Sequence, residues 1–204
     1  MKVILAAAVL AAPFAFAAPA HAQFTGPRIE GRLAYESVEA TVGTGDPLET
    51  GDQDAIAYGA EAGYDLQLGP AVVGAYVGLE GSNLRTCDEV FGGDEGCIGQ
   101  GRNLYVGARV GFSVAPRVMI YAKGGYSNGS VDIDYESGGL IGDFEASESF
   151  DGHHLGVGAE VALVSGLYGR IEYVHTDYGE FRFDPDTFGD LTRGQVMVGA
   201  GFRF

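Results

Sequence analysis

The chain has 204 residues, of which 34 are glycine and none is tryptophan, and a formal charge of −16. Such an acidic excess argues against nucleic acid as a partner, because phosphates demand Lys and Arg, and against a helix lying on anionic lipid. The glycine follows no strict three-residue period, which rules out a collagen-like or low-complexity chain.

The N-terminus opens with Lys2, an apolar run from Val3 to Ala18 broken by Pro13, and the small-x-small site Ala20-His21-Ala22. That layout predicts a secretory signal peptide over residues 1–22, cut before Gln23; the run is too short for a spanning helix and no stop-transfer pattern follows. Removing it with Lys2 takes the formal charge from −16 to −17. Residues 23–204, roughly 180 in all, then suit one domain. They contain no further run of the roughly 20 apolar residues that a spanning helix needs, so any crossing of a membrane must use strands.

Beyond the signal the periodicity is that of strands, in eight segments whose side chains point alternately to two faces. In the first, Ile29, Leu33 and Tyr35 oppose Arg28, Glu30, Arg32 and Glu36; in the second, Ile56, Tyr58 and Ala60 oppose Gly59, Glu61 and Gly63. Val73, Val77 and Leu79 then oppose Gly74, Tyr76, Gly78 and Glu80, and Leu104, Val106, Val110 and Phe112 oppose Tyr105, Gly107 and Arg109. Next come Val118, Ile120 and Tyr126 against Met119, Tyr121 and Lys123, and Leu155, Val157 and Val161 against His154, Gly156, Gly158 and Glu160. The last two set Leu167, Ile171 and Tyr173 against Tyr168, Arg170 and Glu172, and Val196, Val198, Phe202 and Phe204 against Gln195, Gly199, Gly201 and Arg203.

The connections alternate in length. Asp65–Pro70, Ala115-Pro116-Arg117 and Val164-Ser165-Gly166 are short, whereas about 37–53, 82–101, 128–150 and 176–191 are long and rich in Gly, Asp and Glu. Short and long in strict alternation predicts an all-β fold: an eight-stranded antiparallel up-and-down transmembrane β-barrel with short periplasmic turns and four long outer loops. A soluble eight-stranded barrel would turn its apolar face inward. Here the other face mixes glycine with charge, which suits a narrow, crowded lumen better than a solvated strand face, where glycine only weakens the strand. Lipid then covers the aliphatic face, and the strands must close because no water can satisfy an open edge.

On this register the lumen receives the acids Glu30, Glu36, Glu61, Asp65, Glu80, Glu160 and Glu172 and the bases Arg28, Arg32, Arg109, Lys123, Arg170, Arg193 and Arg203. Charges in a low-dielectric tube must be paired. Hairpin pairing places Arg170 opposite Glu160 and Arg32 near Glu61; Arg109 and Lys123 face each other and need a carboxylate from across the lumen, Glu80 or Glu160. Cys87 and Cys97, an even count in an exported chain, predict a disulfide closing a short loop, with a chain-entropy contribution of roughly 2.5–3 kcal/mol. No Cys-x-x-Cys or clustered histidine points to redox or metal chemistry instead.

Several segments resemble the outer-membrane β-barrel family that includes OmpX-like, OmpA-type and opacity-type proteins, often labelled porin family. The resemblance rests on Gly26-Pro27-Arg28-Ile29-Glu30, Tyr58 to Tyr64, Leu104 to Arg109, Tyr121 to Tyr126, Glu172-Tyr173 with Asp177-Tyr178-Gly179, and Val198 to Phe204, in that order. It covers essentially the whole of residues 23–204. It implies a Gram-negative outer-membrane location, outer-membrane lipid as the surroundings, and a C-terminal aromatic signal, Phe202 and Phe204 here, read by the barrel-assembly machinery. The family's usual interfacial Trp is absent, so aromatic belts must come from Tyr35, Tyr58, Tyr64, Phe112, Tyr126, Tyr173, Phe202 and Phe204.

Little in the sequence points to catalysis. His153 and His154 are neighbours and point to opposite faces of a strand, and His175 with Asp177 has no serine tied to it by any motif. The acidic pairs Asp88-Glu89, Asp94-Glu95, Asp132-Ile133-Asp134 and Asp184-Pro185-Asp186 lack calcium-loop spacing and read as solvated loop charge. No catalytic, metal or cofactor residue is assigned. The expected function is that of a structural or surface protein contributing to envelope integrity or surface interaction. A small diffusion pore, an adhesin with an unknown surface ligand and an outer-leaflet lipid-modifying enzyme are the alternatives.

Overall fold

A computed structural model of the protein describes residues 23–43, 49–89, 95–136, 144–164, 166–184 and 187–204. The signal segment 1–22, Ser165 and the side chains of the acidic loop pairs fall outside the described residues. The strands are β1 (Gly26–Gly43), β2 (Glu49–Leu68), β3 (Ala71–Ser82), β4 (Arg85–Glu89), β5 (Glu95–Ala115), β6 (Val118–Glu136), β7 (Phe144–Ala162), β8 (Leu167–Asp184) and β9 (Thr187–Arg203). Every pairing is antiparallel. Eight of the strands form a ring in chain order, closed by β1 on β9 and by β3 on β5; β4 is a short outer strand that pairs, among the described residues, with β5 alone.

The two faces divide as the alternation requires. Ile29, Leu33, Val77, Val106, Val110, Ile120, Leu155, Val157, Ile171 and Val198 are exposed on the outside, and the eight candidate belt aromatics are exposed with them. On β5 the outward apolar stretch runs Leu104–Phe112, close to the about 9–11 residues that a tilted strand needs to cross a bilayer. Exposing so much aliphatic surface suits lipid and not water.

The outer connections differ from the expected long loops. Strand pairing continues well beyond the apolar band, out to Val42↔Glu49, Glu95↔Glu136 and Tyr135↔Phe144. Backbone groups outside the membrane still gain from pairing, and the outer segments carry strand-forming Thr, Val, Ile and Tyr among their acids. The ring itself does not continue outward. Between β7 and β8 the ladder ends at His153↔Asp177, and between β2 and β3 it ends at Ala57↔Ser82, among the described residues. Beyond these points the barrel divides into two ribbons, one of β4, the outer β5, β6 and β7, the other of the outer β8, β9, β1 and β2. A bulge at Asp177–Glu180 marks the first seam, with Gly179 at φ +73°, a conformation that glycine adopts without strain.

Candidate functional site

The interior is a stack of layers set by each residue's position along its strand. At the periplasmic end Phe24, Val72, Met119 and Tyr121 pack into a buried apolar cluster with Ala162 against it. Phe24 is held by its backbone N–H, which donates to Gln67 Oε1 at 3.0 Å, and by Thr25 Oγ1, which accepts from the Gln67 N–H at 2.9 Å.

Above this plug lies the charge network. Arg109 donates to Asp65 at 2.6 Å and to Glu160 at 3.1 Å, and Arg203 reaches the same two acids at 2.9 and 2.8 Å. Glu61 is the hub of the next layer: Arg28 and Arg32 each lie 2.7 Å from it, Lys123 2.9 Å and Arg170 3.2 Å. Glu172 takes Arg32 at 2.9 Å and Lys123 at 3.1 Å, and Glu30 takes Arg170 at 2.6 Å. Further out, Arg193 is bonded to Glu36 and lies 3.4 Å from Glu80. The structure thus places Glu30, Arg32, Glu61, Glu80, Arg109, Lys123, Glu160, Arg170 and Glu172 inside the barrel, all buried.

Two pairings differ from the sequence expectation. Arg170 is indeed the register partner of Glu160, yet its guanidinium meets Glu30, Glu61 and Glu172 instead. Of the two acids expected for Arg109 and Lys123, Glu160 does meet Arg109, whereas Lys123 is met by Glu61 and Glu172, and Glu80 pairs with Arg32 and Arg193. The reasons are height and reach. Arg109 is level with Gly74, six residues down β3 from Glu80, which is on the order of 20 Å along a strand. A long side chain in a narrow tube also meets strands across the lumen as readily as its neighbour.

Glycine decides which partners can meet. Asp65, Gly74 and Arg109 lie in one row across three adjacent strands, and a Cβ on Gly74 would strike the Asp65 carboxylate. With no side chain between them, acid and base join directly. The same device recurs in Glu30–Gly201–Tyr168, where the Tyr168 hydroxyl donates to Glu30 at 2.8 Å. It recurs in Tyr121–Gly158–Glu172, with a 2.6 Å hydroxyl bond to the acid, and across two strands in Tyr76–Gly107–Gly125–His154, with Tyr76 Oη 2.6 Å from His154 Nε2. The tyrosine rings also cover cations: Lys123 Nζ sits 4.1 Å from the Tyr76 ring centre and the Arg109 guanidinium 5.0 Å from that of Tyr121. Alternation placed these tyrosines on the inner face, but their role was missed. The signal was available as charge, glycine and tyrosine at equal heights on successive strands, once the register was fixed.

The remaining singled-out residues separate. His154 is buried in the lumen, with Ser127 Oγ 2.9 Å from its Nδ1, while His153 and His175 are exposed on the outside. Just beyond the apolar band on β7, Asp151 accepts bonds from the Tyr126 hydroxyl and from the Asn128 amide, the latter at 2.6 Å, and these hold its carboxyl below the usual aspartate value. Cys87 and Cys97, direct partners of the β4–β5 ladder, are joined in a disulfide. Phe202 and Phe204 are exposed at the end of β9.

At the outer end the interior changes character. A cavity of about 280 Å³ lies between the two ribbons, and its lining is mainly apolar. Nothing in the residue pattern announces this cavity, because it depends on two ribbons facing each other.

The chain matches the family described as outer membrane protein beta-barrel domain over residues 4–204. It is similar to the 31 kDa outer-membrane immunogenic protein of Brucella melitensis, 31% identical over 130 residues that make up 60% of this chain and 53% of that one. The chain therefore spans about half the length of the Brucella relatives it matches. It is also similar to the 22 kDa outer membrane protein of Rhizobium leguminosarum, 26% identical over 164 residues, 75% of this chain and 69% of that one. Among solved structures, Neisserial surface protein A aligns with a TM-score of 0.49 at 13% identity, covering 85% of this chain and 97% of that one.

Proposed function

Because the chain belongs to the outer membrane protein β-barrel family and so to the outer membrane of a Gram-negative cell, we propose that it is a structural surface protein whose lumen does not conduct. It contributes to envelope integrity and presents acidic ribbons outside. One observation carries this: the lumen holds the Phe24–Met119 plug at one end of the apolar band and, above it, buried ion pairs that share Glu61, Asp65 and Glu172. Ions crossing that stretch would have to break buried pairs, which costs about 3–5 kcal/mol each. The test is purified protein in a planar bilayer. Gating noise without a steady conductance is the expected result, and a stable, sizeable open level would favour the diffusion pore.

A role in surface interaction is the second reading. Its support is the extension of the strands beyond the apolar band into two paired ribbons, together with the description of the Brucella relatives as immunogenic. During biogenesis Phe202 and Phe204 serve as the signal read by the assembly machinery. Replacing Phe204 with Ala is expected to leave the strand pattern intact in refolded protein and to lower the amount assembled in cells.

A further inference from the structure

The outer cavity is not explained by a filled, structural barrel. Below it the inward positions hold charge, and above Glu36, Glu80 and Arg193 the same inward series turns apolar. Val38, Tyr178 and Leu191 come from one ribbon and Leu84, Val131 and Phe150 from the other. An empty apolar cavity forfeits contacts that a filled one makes, and water is poorly held there.

From these features we infer that the cavity binds a neutral, mostly apolar small molecule. Size sets the first limit. A cavity of about 150 Å³ takes a benzene ring, so one of about 280 Å³ holds roughly ten to twelve heavy atoms.

Charge sets the last limit. The floor holds Arg193, but two carboxylates, Glu36 and Glu80, already face that guanidinium. An anionic head would add a third negative group beside them, having passed an acidic exterior. The inference does not depend on the lumen being closed.

The test uses the full barrel in phosphatidylcholine nanodiscs, with empty nanodiscs as the reference for partitioning. The probes are the neutral 1-naphthol and the anion 1-naphthoate. Expected are saturable binding of 1-naphthol above the empty-disc level, its loss in Leu191→Trp, which fills the cavity, and weaker binding for 1-naphthoate. Heat-modified gel mobility establishes that each variant is folded, and Val38→Trp fills the cavity from the other ribbon should Leu191→Trp not fold. Wild-type binding equal to empty discs, or saturable binding that survives in a folded filled variant, overturns the site. Preference for 1-naphthoate overturns the neutral class.

Discussion

Gly74 matters through what it lacks: only a residue without a side chain lets Asp65 reach Arg109 across an intervening strand. Gly74→Ala is therefore expected to destabilise the barrel by about 3 kcal/mol, since the new methyl group displaces a buried carboxylate from its cation. Gly31 faces outward with open space around it, and Gly31→Ala should change stability little or raise it slightly. Urea unfolding in lipid vesicles, followed by gel mobility, compares the two. Glu61 has the largest share of the network, with four cations within 3.2 Å. Glu61→Gln keeps its shape but leaves that cationic layer under-compensated, and about 3–5 kcal/mol should be lost. A loss no larger than that of an exposed change such as Glu39→Gln would show that the buried charges are solvated instead.

At the scale of elements, the barrel and its outer ribbons are held by different forces. Each strand within the apolar band is paired on both sides, whereas among the described residues β4 pairs with β5 alone and the outer parts of β7 and β8 do not pair with each other. Opening of the ribbons thus need not involve the barrel. The disulfide fastens the β4–β5 hairpin only. Replacing Cys87 and Cys97 with Ser should speed amide exchange across residues 85–99 while leaving the unfolding midpoint of the barrel nearly unchanged. A large drop in that midpoint would mean that the hairpin and the barrel open together.

The whole molecule inverts the arrangement of a soluble protein, with aliphatic side chains outside and charge at the centre. Its stability depends on the surrounding lipid as well as on its own contacts. Ala108 points outward at the middle of the β5 apolar stretch. Ala108→Arg should cost about 2–4 kcal/mol in a bilayer, the penalty for a cation at the membrane midplane. The same substitution on a face turned to water would be nearly silent, so its effect in vesicles reads the orientation directly.

Local patterning along the chain was enough for the eight strands of the ring, the alternation of faces, the short turns, the outward aromatics and the list of charged residues inside. All of these follow from local properties: a period of two, turn residues, and the mismatch between aliphatic and charged faces. It did not determine which acid meets which base, because a guanidinium in a narrow lumen spans several strands and its partner depends on strand stagger. Nor could it show that Phe24, Val72 and Met119 close one end, that paired strands extend far beyond the membrane, or that two ribbons enclose an apolar cavity. Each of those joins residues far apart in the chain, and only closure of the ring on β1 and β9 brings them within reach.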